Sequence, residues 1–199
     1  FLQNAKLYDY YKEGGRSFIP LFFVSYHLFH QDKSIEEIRS YFDNHDTANQ
    51  DFLLIKKWIY HSLLNGVFRS RGAGWVSYKT GVRKLLDEIK NHRDKLFPTE
   101  ELFNVYIQHP INFQQSYDMD ILGALDSTFV FYLIYDCKMT NRINDIDHIM
   151  PKSILQNYDY EWGKINGIAN YQLLDYSTNR GNKNSSSFVD WLCNEENVK

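Results

Sequence analysis

The chain has 199 residues, of which 43% are hydrophobic and 17% aromatic, and its formal net charge at pH 7 is -3. This length suits one medium domain with a small addition, and the apolar content excludes a largely disordered chain. The slightly acidic balance excludes a globally basic nucleic-acid-binding protein, so any surface that binds nucleic acid must be local.

The two cysteines, Cys137 and Cys193, are far apart and form no C-x-x-C pair. This spacing argues against a zinc ribbon and against a disulfide scaffold, and it suits a reducing cytosol, so we expect a cytoplasmic protein. No apolar run is long enough to span a bilayer, and no membrane partner is expected. The chain opens on Phe1 without a signal peptide, from which we expect a fragment that lacks an N-terminal part.

We predict that most of the first 140 residues are helical, because apolar residues recur there at helical spacing. The predicted segments are RSFIPLFFVSYHLFH, SIEEIRSYFDNH, NQDFLLIKKWIYHSLLNGVFRS, GVRKLLDEIKNHRDKLF, TEELFNVYIQH and STFVFYLIYDC. The first is apolar almost all round, as in a core helix, and the last has the composition of a buried helix. Ser34 and Glu37 have the spacing of a capping box, and Gly72 and Gly74 mark a loop.

The pattern changes after Thr140. RINDIDHI alternates as a strand does, and NYQLLD is a second short strand candidate. Between them, PKSILQNYDYEWGKINGIAN has the polar, glycine-containing composition of a loop, and STNRGNKNSS has small residues suited to opening a helix. SSFVDWLCNEE then predicts a closing helix. The predicted fold is therefore mainly α, with a helical domain at 1–140 and a small C-terminal α+β unit at 141–199.

Positive charge is concentrated between Lys56 and Lys95. Three acids stand in this stretch, Asp87, Glu88 and Asp94, against ten bases: Lys56, Lys57, Arg69, Arg71, Lys79, Arg83, Lys84, Lys90, Arg93 and Lys95. The block either forms a face for phosphate groups or is an ordinary solvated helix surface, and the sequence leaves both interpretations open.

Asp147 and His148 end the first predicted strand, and Pro151 prevents further ladder pairing. Neighbours on a strand point to opposite faces, so this pair is suited to two tasks at one site. The carboxylate is a ligand for a hard cation, and the imidazole accepts a proton from water. By itself the string is a weak signal, since a lone histidine is usually structural.

Polar residues after the second strand strengthen this interpretation. Asn170, Asn179, Arg180 and Lys183 follow in the segment IANYQLLDYSTNRGNKNS. An amide oxygen and a carboxylate together suit magnesium, which keeps several of its waters. Arg180 and Lys183 are suited to binding phosphate oxygens.

The combined pattern resembles the HNH endonucleases of the His-Me finger (ββα-metal) superfamily. It consists of Asp-His-Ile-x-Pro on one strand, Asn-x-x-x-Leu on a second, and Asn-Arg-Gly at a helix start. The motifs are most similar to the HNH domain of RNA-guided CRISPR effectors. A helical body before a terminal HNH unit is similar instead to the C-terminal portion of GmrSD-type restriction proteins, in which a nucleotide-dependent domain precedes the nuclease.

This resemblance implies a role for each matching residue. His148 is expected to be the general base, and Asp147 and Asn179 are expected to bind one magnesium or manganese ion. Asn170 would support the loop and orient the catalytic strand. Lys183 is a weaker match, because it stands one position later than in the CRISPR pattern. The cysteine pairs of zinc-containing HNH proteins are absent, so no structural zinc is expected.

The sequence therefore predicts a metal-dependent DNA endonuclease, the cleavage part of a modification-dependent or anti-phage restriction system. Its expected partners are DNA, the missing N-terminal domain and, for a double-strand break, a second copy in a homodimer. The alternative is a module that keeps the ββα shape without turnover and binds nucleic acid or protein. No Gly-x-Ser-x-Gly elbow and no P-loop support another chemistry.

Overall fold

The computed structural model of the protein describes residues 1–12, 17–43, 49–68, 81–105, 125–136, 144–175, 177–183 and 186–194. In these residues the chain is mainly helical and contains a two-stranded antiparallel sheet. The chain divides into two compact units, Phe1–His109 with Thr128–Met139 and Pro110–Ser127 with Thr140–Lys199. The second unit therefore includes a segment that the sequence assigned to the helical domain.

The first unit is built from helices, and apart from the short first one, Tyr8–Lys12, those described lie in the segments where apolar periodicity predicted them. Their bounds are α1 Tyr8–Lys12, α2 Ile19–Phe29, α3 Ile35–Ser40, α4 Gln50–Leu64, α5 Arg83–Asn91, α6 Thr99–Val105 and, apart from its first residue, α7 Ser127–Ile134. The predicted loop at Gly72 and Gly74 lies outside the described residues. None of the helices in the described ranges is both long and apolar enough to cross a bilayer.

Two helices of this unit begin at side-chain caps. At α3, Ser34 Oγ accepts the Glu37 N–H at 3.3 Å and Glu37 Oε2 accepts the Ser34 N–H at 2.8 Å, which confirms the predicted capping box. At α4, Asn49 Oδ1 accepts the Phe52 N–H at 3.0 Å. Each cap satisfies N–H groups that lack a partner within the helix.

The core of the first unit centres on Trp58 of α4, which is fully buried. Its ring lies 5.6 Å from that of Phe23 and 5.5 Å from that of Phe97, measured between centroids. Helix α2 buries Phe23 on one side, but Phe22 is 59% and Phe29 76% exposed on the other. The prediction that α2 is buried all round is therefore wrong, because only one face of this helix contacts the core.

A polar group is also buried in this core. The carboxylate of Asp51, at the start of α4, accepts hydrogen bonds from His27 Nε2 at 3.0 Å and from the Phe97 N–H at 2.6 Å. The Tyr41 hydroxyl donates to the same group. Both Asp51 and His27 are at least 95% buried. This network joins four parts of the unit and gives the buried Asp51 carboxylate and His27 ring hydrogen-bond partners.

In its described residues, the second unit contains two strands, joined by helices rather than by the predicted loop. The elements are β1 Asn144–His148, α8 Lys152–Asn157, α9 Trp162–Ile165, a 3-10 turn Ile168–Asn170, β2 Tyr171–Asp175, a π-helical segment Thr178–Lys183 and α10 Phe188–Leu192. Both predicted strands and the closing helix are confirmed. The loop prediction between the strands is wrong, because two helices of 6 and 4 residues are too short to show an apolar period.

Pro151 marks the end of the sheet, as its lack of an N–H predicts. It occupies the position before α8, with φ -55°, and its carbonyl oxygen accepts the Ile154 and Leu155 N–H groups. The strands are antiparallel, with Asp147 opposite Gln172 and His148 opposite Tyr171. This register decides which side chains of β2 meet the acid and the imidazole.

Candidate active site

Strand β1 places its acidic residues on one face and its histidine on the other, because side chains alternate along a strand. Asp145 and Asp147 share the first face, and His148 lies on the second. Directly across the sheet from Asp147, Gln172 donates from Nε2 to Asp147 Oδ2 at 3.1 Å. The side chains of the two neighbours predicted to carry the chemistry therefore lie on opposite faces of the sheet.

The π-helical segment packs along the acidic face of β1. Asn179 Nδ2 lies 3.4 Å from Asp145 Oδ2, and Lys183 donates to Asp147 Oδ2. Asp145 and Asp147 are two residues apart on a strand, which is about 6.7 Å. Asn179 and Lys183 are four residues apart and lie on one side of their helical segment. Each side chain of the segment meets its own carboxylate, Asn179 at Asp145 and Lys183 at Asp147.

Lys183 is fully buried, and the Asp147 side chain is 11% exposed. Its ammonium also donates to the carbonyl oxygen of His148 at 2.5 Å. Lys183 is thus directed at the end of β1 from inside the protein. Contact of this ammonium with a substrate phosphate, which the sequence suggested, stays a prediction.

Arg180 lies on the accessible side of the same segment. Its Nε donates to Asp145 Oδ2 at 2.9 Å, while 61% of its side chain is exposed. This ion pair orients the guanidinium beside the acidic face. The predicted role of Arg180 in phosphate binding is untested, and the exposure of its side chain is compatible with it.

His148 is held by two residues of the second unit. Its Nε2 lies 3.1 Å from Asn166 Oδ1, and its ring packs on that of Tyr171 with centroids 4.5 Å apart and planes inclined by 41°. The Tyr171 hydroxyl donates to the same Asn166 oxygen at 3.0 Å. The imidazole is half-buried, so it is oriented by the protein while part of it is accessible to solvent.

Asn170 binds the backbone that follows β1. Its Oδ1 accepts the Met150 N–H at 2.8 Å, and its Nδ2 donates to the Met150 and Ile165 carbonyl oxygens at 3.1 and 3.0 Å. The amide therefore joins the turn after His148 to the end of α9. This geometry is suited to the loop-supporting role that the resemblance implied, and a direct part in catalysis stays a prediction.

The two predicted metal ligands, Asp147 and Asn179, are not hydrogen-bonded to each other. Both side-chain bonds described for Asp147 end on Oδ2, which leaves Oδ1 as a second acceptor. Asn179 turns its amide nitrogen toward Asp145, which leaves its amide oxygen as an acceptor. Carboxylate and amide oxygens are donor types that magnesium binds alongside several waters. Within the described ranges, no three His, Cys, Asp or Glu side chains form a metal-binding group.

Asp145, Asn166, Tyr171 and Gln172 also belong to this site, and the motifs did not single them out. Asp145 had a usable signal, because it precedes Asp147 by two residues in an alternating strand and so shares its face. Asn166 had none, since it lies in a segment predicted as loop, 18 residues from His148.

The basic stretch between Lys56 and Lys95 is described only in part. Lys57 pairs with Glu100 at 2.6 Å, Arg93 with Asp94 at 3.4 Å, and Lys56 lies over the Tyr60 ring at 5.4 Å. These are the contacts of a solvated helix surface. Three further bases of the stretch, Arg69, Arg71 and Lys79, lie outside the described residues, so a phosphate-binding face stays a prediction.

Comparisons with protein-family models, with curated proteins and with solved structures gave no match. The HNH assignment is therefore a hypothesis that rests on the motif residues and on their geometry.

Proposed function

We propose that this chain is a metal-dependent HNH endonuclease that hydrolyses phosphodiester bonds of DNA. One observation carries the proposal: the segment that holds Asn179 packs on the strand that holds Asp147 and His148, through the Asn179–Asp145 and Lys183–Asp147 contacts. Residues 34 and 36 positions apart in sequence thus meet along one face of β1. The order of strand, connection, strand and helical segment also suits a ββα-metal finger.

His148 supplies the base in this proposal. A water molecule beside the ring gives a proton to the imidazole as its oxygen forms a bond to phosphorus, and the bond from phosphorus to the leaving sugar oxygen breaks. The leaving oxygen is protonated from solvent. The neutral form of the imidazole carries the nitrogen lone pair that accepts this proton.

Asp147 and Asn179 would hold the divalent cation. The donors would be Asp147 Oδ1 and the amide oxygen of Asn179, which the hydrogen bonds described above do not use. When bound, the cation supplies positive charge that neutralises the scissile phosphate and the leaving oxygen. The chain itself fixes the donors: Gln172 and Lys183 orient the Asp147 carboxylate, and Asp145 orients the Asn179 amide. Preorganised groups of this kind need no rearrangement when substrate arrives.

A non-catalytic nucleic-acid-binding module is the second function to consider. One observation favours it: the carboxylate of Asp147 is already paired with the buried ammonium of Lys183. In that case the Asp147–Lys183 pair serves to hold the fold, and the chain binds nucleic acid without cutting it.

Cleavage of supercoiled plasmid DNA, with and without magnesium or manganese, separates the two functions. We expect the wild-type chain to nick the plasmid only with the cation, and His148→Ala to lower the rate by at least about a hundredfold. His92→Ala is the matched control, because His92 directly follows α5 in the first unit. Full nicking by His148→Ala, or none by the wild type on DNA or RNA, would reject the endonuclease.

We also propose a cellular location and a biological role for the chain. A nuclease of this type would act in the bacterial cytoplasm as the cleavage part of a modification-dependent or anti-phage restriction system. One HNH site cuts one strand, so a double-strand break would require a homodimer or two successive nicks. Selection of the target would belong to an N-terminal domain outside this sequence.

A further inference from the structure

The side chain of Asn166 lies between His148 and α9, the helix that directly precedes Asn166 in sequence. Asn166 is 5% exposed and follows the last residue of α9. Its Nδ2 donates to the Trp162 carbonyl oxygen at 3.2 Å, and its Oδ1 lies 3.1 Å from His148 Nε2. A buried carboxamide with partners on both ends has a defined orientation.

The contact with Trp162 decides which end of the amide faces the histidine. A carbonyl oxygen only accepts hydrogen bonds, so the atom of Asn166 beside it must be the nitrogen. The opposite orientation would place two oxygens against each other and leave both unsatisfied. The Tyr171 hydroxyl, which donates to Oδ1 at 3.0 Å, agrees with this assignment.

The orientation of the amide decides the tautomer of His148. Because Asn166 Oδ1 accepts only, His148 Nε2 must carry a proton for the 3.1 Å contact to be a hydrogen bond. In the neutral ring the other nitrogen, Nδ1, then has the lone pair. Packing of the Tyr171 ring against the imidazole limits its rotation and keeps this arrangement.

We propose that Asn166 is a positioning residue for His148: its carboxamide oxygen holds the ring proton on Nε2 and so presents Nδ1 as the atom that accepts a proton from water. The assignment of Nδ1 as the base rests on the proposed function. The control of the tautomer by Asn166 does not, since it follows from the hydrogen bonds alone.

The tautomer is measured directly by long-range proton–nitrogen NMR on the 199-residue chain labelled with ¹⁵N-histidine. Spectra are recorded above about pH 8, where ordinary imidazoles are neutral. The signal of His148 is identified by its absence in His148→Gln. His92 gives an internal reference of the opposite kind, because its Nδ1 faces the Glu88 carbonyl oxygen at 2.8 Å and must carry the proton.

We expect wild-type His148 to be protonated on Nε2. In Asn166→Leu, which is close in size and has no acceptor, the ratio of Nε2–H to Nδ1–H should fall at least about fivefold, as for the loss of one hydrogen bond. Asn166→Asp keeps an acceptor and should keep the ratio, as should Tyr171→Phe, which keeps the ring. The His92 signal should not change in any of them.

Two results would overturn the inference: a wild-type His148 protonated on Nδ1, or an unchanged ratio in Asn166→Leu. If Asn166→Leu does not fold, Asn166→Ser takes its place, since its hydroxyl is too short to reach His148.

In the nicking assay Asn166→Leu should lower kcat at least about tenfold with little change in KM, and Asn166→Asp should restore most of the rate. A wild type that cuts nothing but shows the expected tautomer would reject the proposed function alone.

Discussion

The ammonium of Lys183 is buried against the carboxylate of Asp147. Lys183 is fully buried and 36 residues from Asp147 in sequence. The same ammonium binds the carbonyl oxygen of His148. One side chain thus joins the π-helical segment to the end of β1, where both the proposed base and a proposed metal ligand lie.

Replacement of Lys183 by Met, which keeps the apolar stem and removes the charge, should destabilise the protein. Loss of one partner of a buried ion pair costs about 3 kcal/mol, because the remaining charge lacks compensation. Urea unfolding followed by tryptophan fluorescence measures the loss. The double variant Asp147→Asn with Lys183→Met should recover at least half of it. If Lys183→Met keeps full stability and only weakens DNA binding, Lys183 acts as a phosphate ligand instead.

Removal of the proposed metal ligands should change the response of cleavage to magnesium. We expect Asn179→Ala to raise the magnesium concentration for half-maximal nicking at least about tenfold, because one of two protein ligands is lost. For Asp147, the double variant Asp147→Asn with Lys183→Met removes the carboxylate without leaving a buried charge, and it should cut at no magnesium concentration.

Asp159→Asn is the control for this titration. Asp159 is exposed and has a positive φ of 56°, a conformation that asparagine adopts readily. It should show the wild-type curve. An Asn179→Ala curve that coincides with it would remove Asn179 from the metal site.

Asn170→Ala should loosen the turn that follows His148. The substitution removes three hydrogen bonds, to the Met150 N–H and to the Met150 and Ile165 carbonyl oxygens. The expected loss of stability is about 2 to 3 kcal/mol, at about 1 kcal/mol for each bond. Hydrogen exchange at the Met150 amide should be faster by at least about tenfold. Asn157→Ala, at an exposed position on α8, should leave that amide unchanged; equal rates in both variants would contradict the supporting role.

Stability of the first unit should depend on pH through Asp51. Burial alone raises the pKa of this carboxyl, but hydrogen bonds from His27 and Tyr41 outweigh burial and lower the pKa below its usual value. A lowered pKa means that the ionised group stabilises the folded state at neutral pH. This contribution is complete above the unfolded pKa of about 3.9 and is lost as the pH falls through the folded value.

Asp51→Asn removes the charge and should lower the free energy of unfolding by about 2 to 4 kcal/mol at pH 7. The difference from wild type should stay constant above about pH 5 and narrow below about pH 4. Urea titrations at several pH values give this difference. The contributions of the carboxyl groups that both proteins share cancel in it. If the two proteins differ in free energy of unfolding by the same amount at pH 3 and pH 7, the charge of Asp51 contributes nothing to stability.

The sequence by itself determined much of the local structure. Apolar periodicity located α2 to α7, the spacing of Ser34 and Glu37 located a helix start, and alternation located both strands. These features depend on residues within a few positions of one another, so the order of residues is sufficient to predict them. It also singled out Asp147 and His148 as neighbours with different tasks.

Only the tertiary structure decided the partners of those residues. Lys183 pairs with Asp147, and Asn166 binds His148, across 36 and 18 residues of chain. Such contacts depend on the path of the chain between them, which includes two helices too short to leave a period in the sequence. Burial then decided which polar groups are paired. Lys183 has no exposed surface and so needs an acid as partner, and the buried amide of Asn166 needs hydrogen bonds at both of its ends.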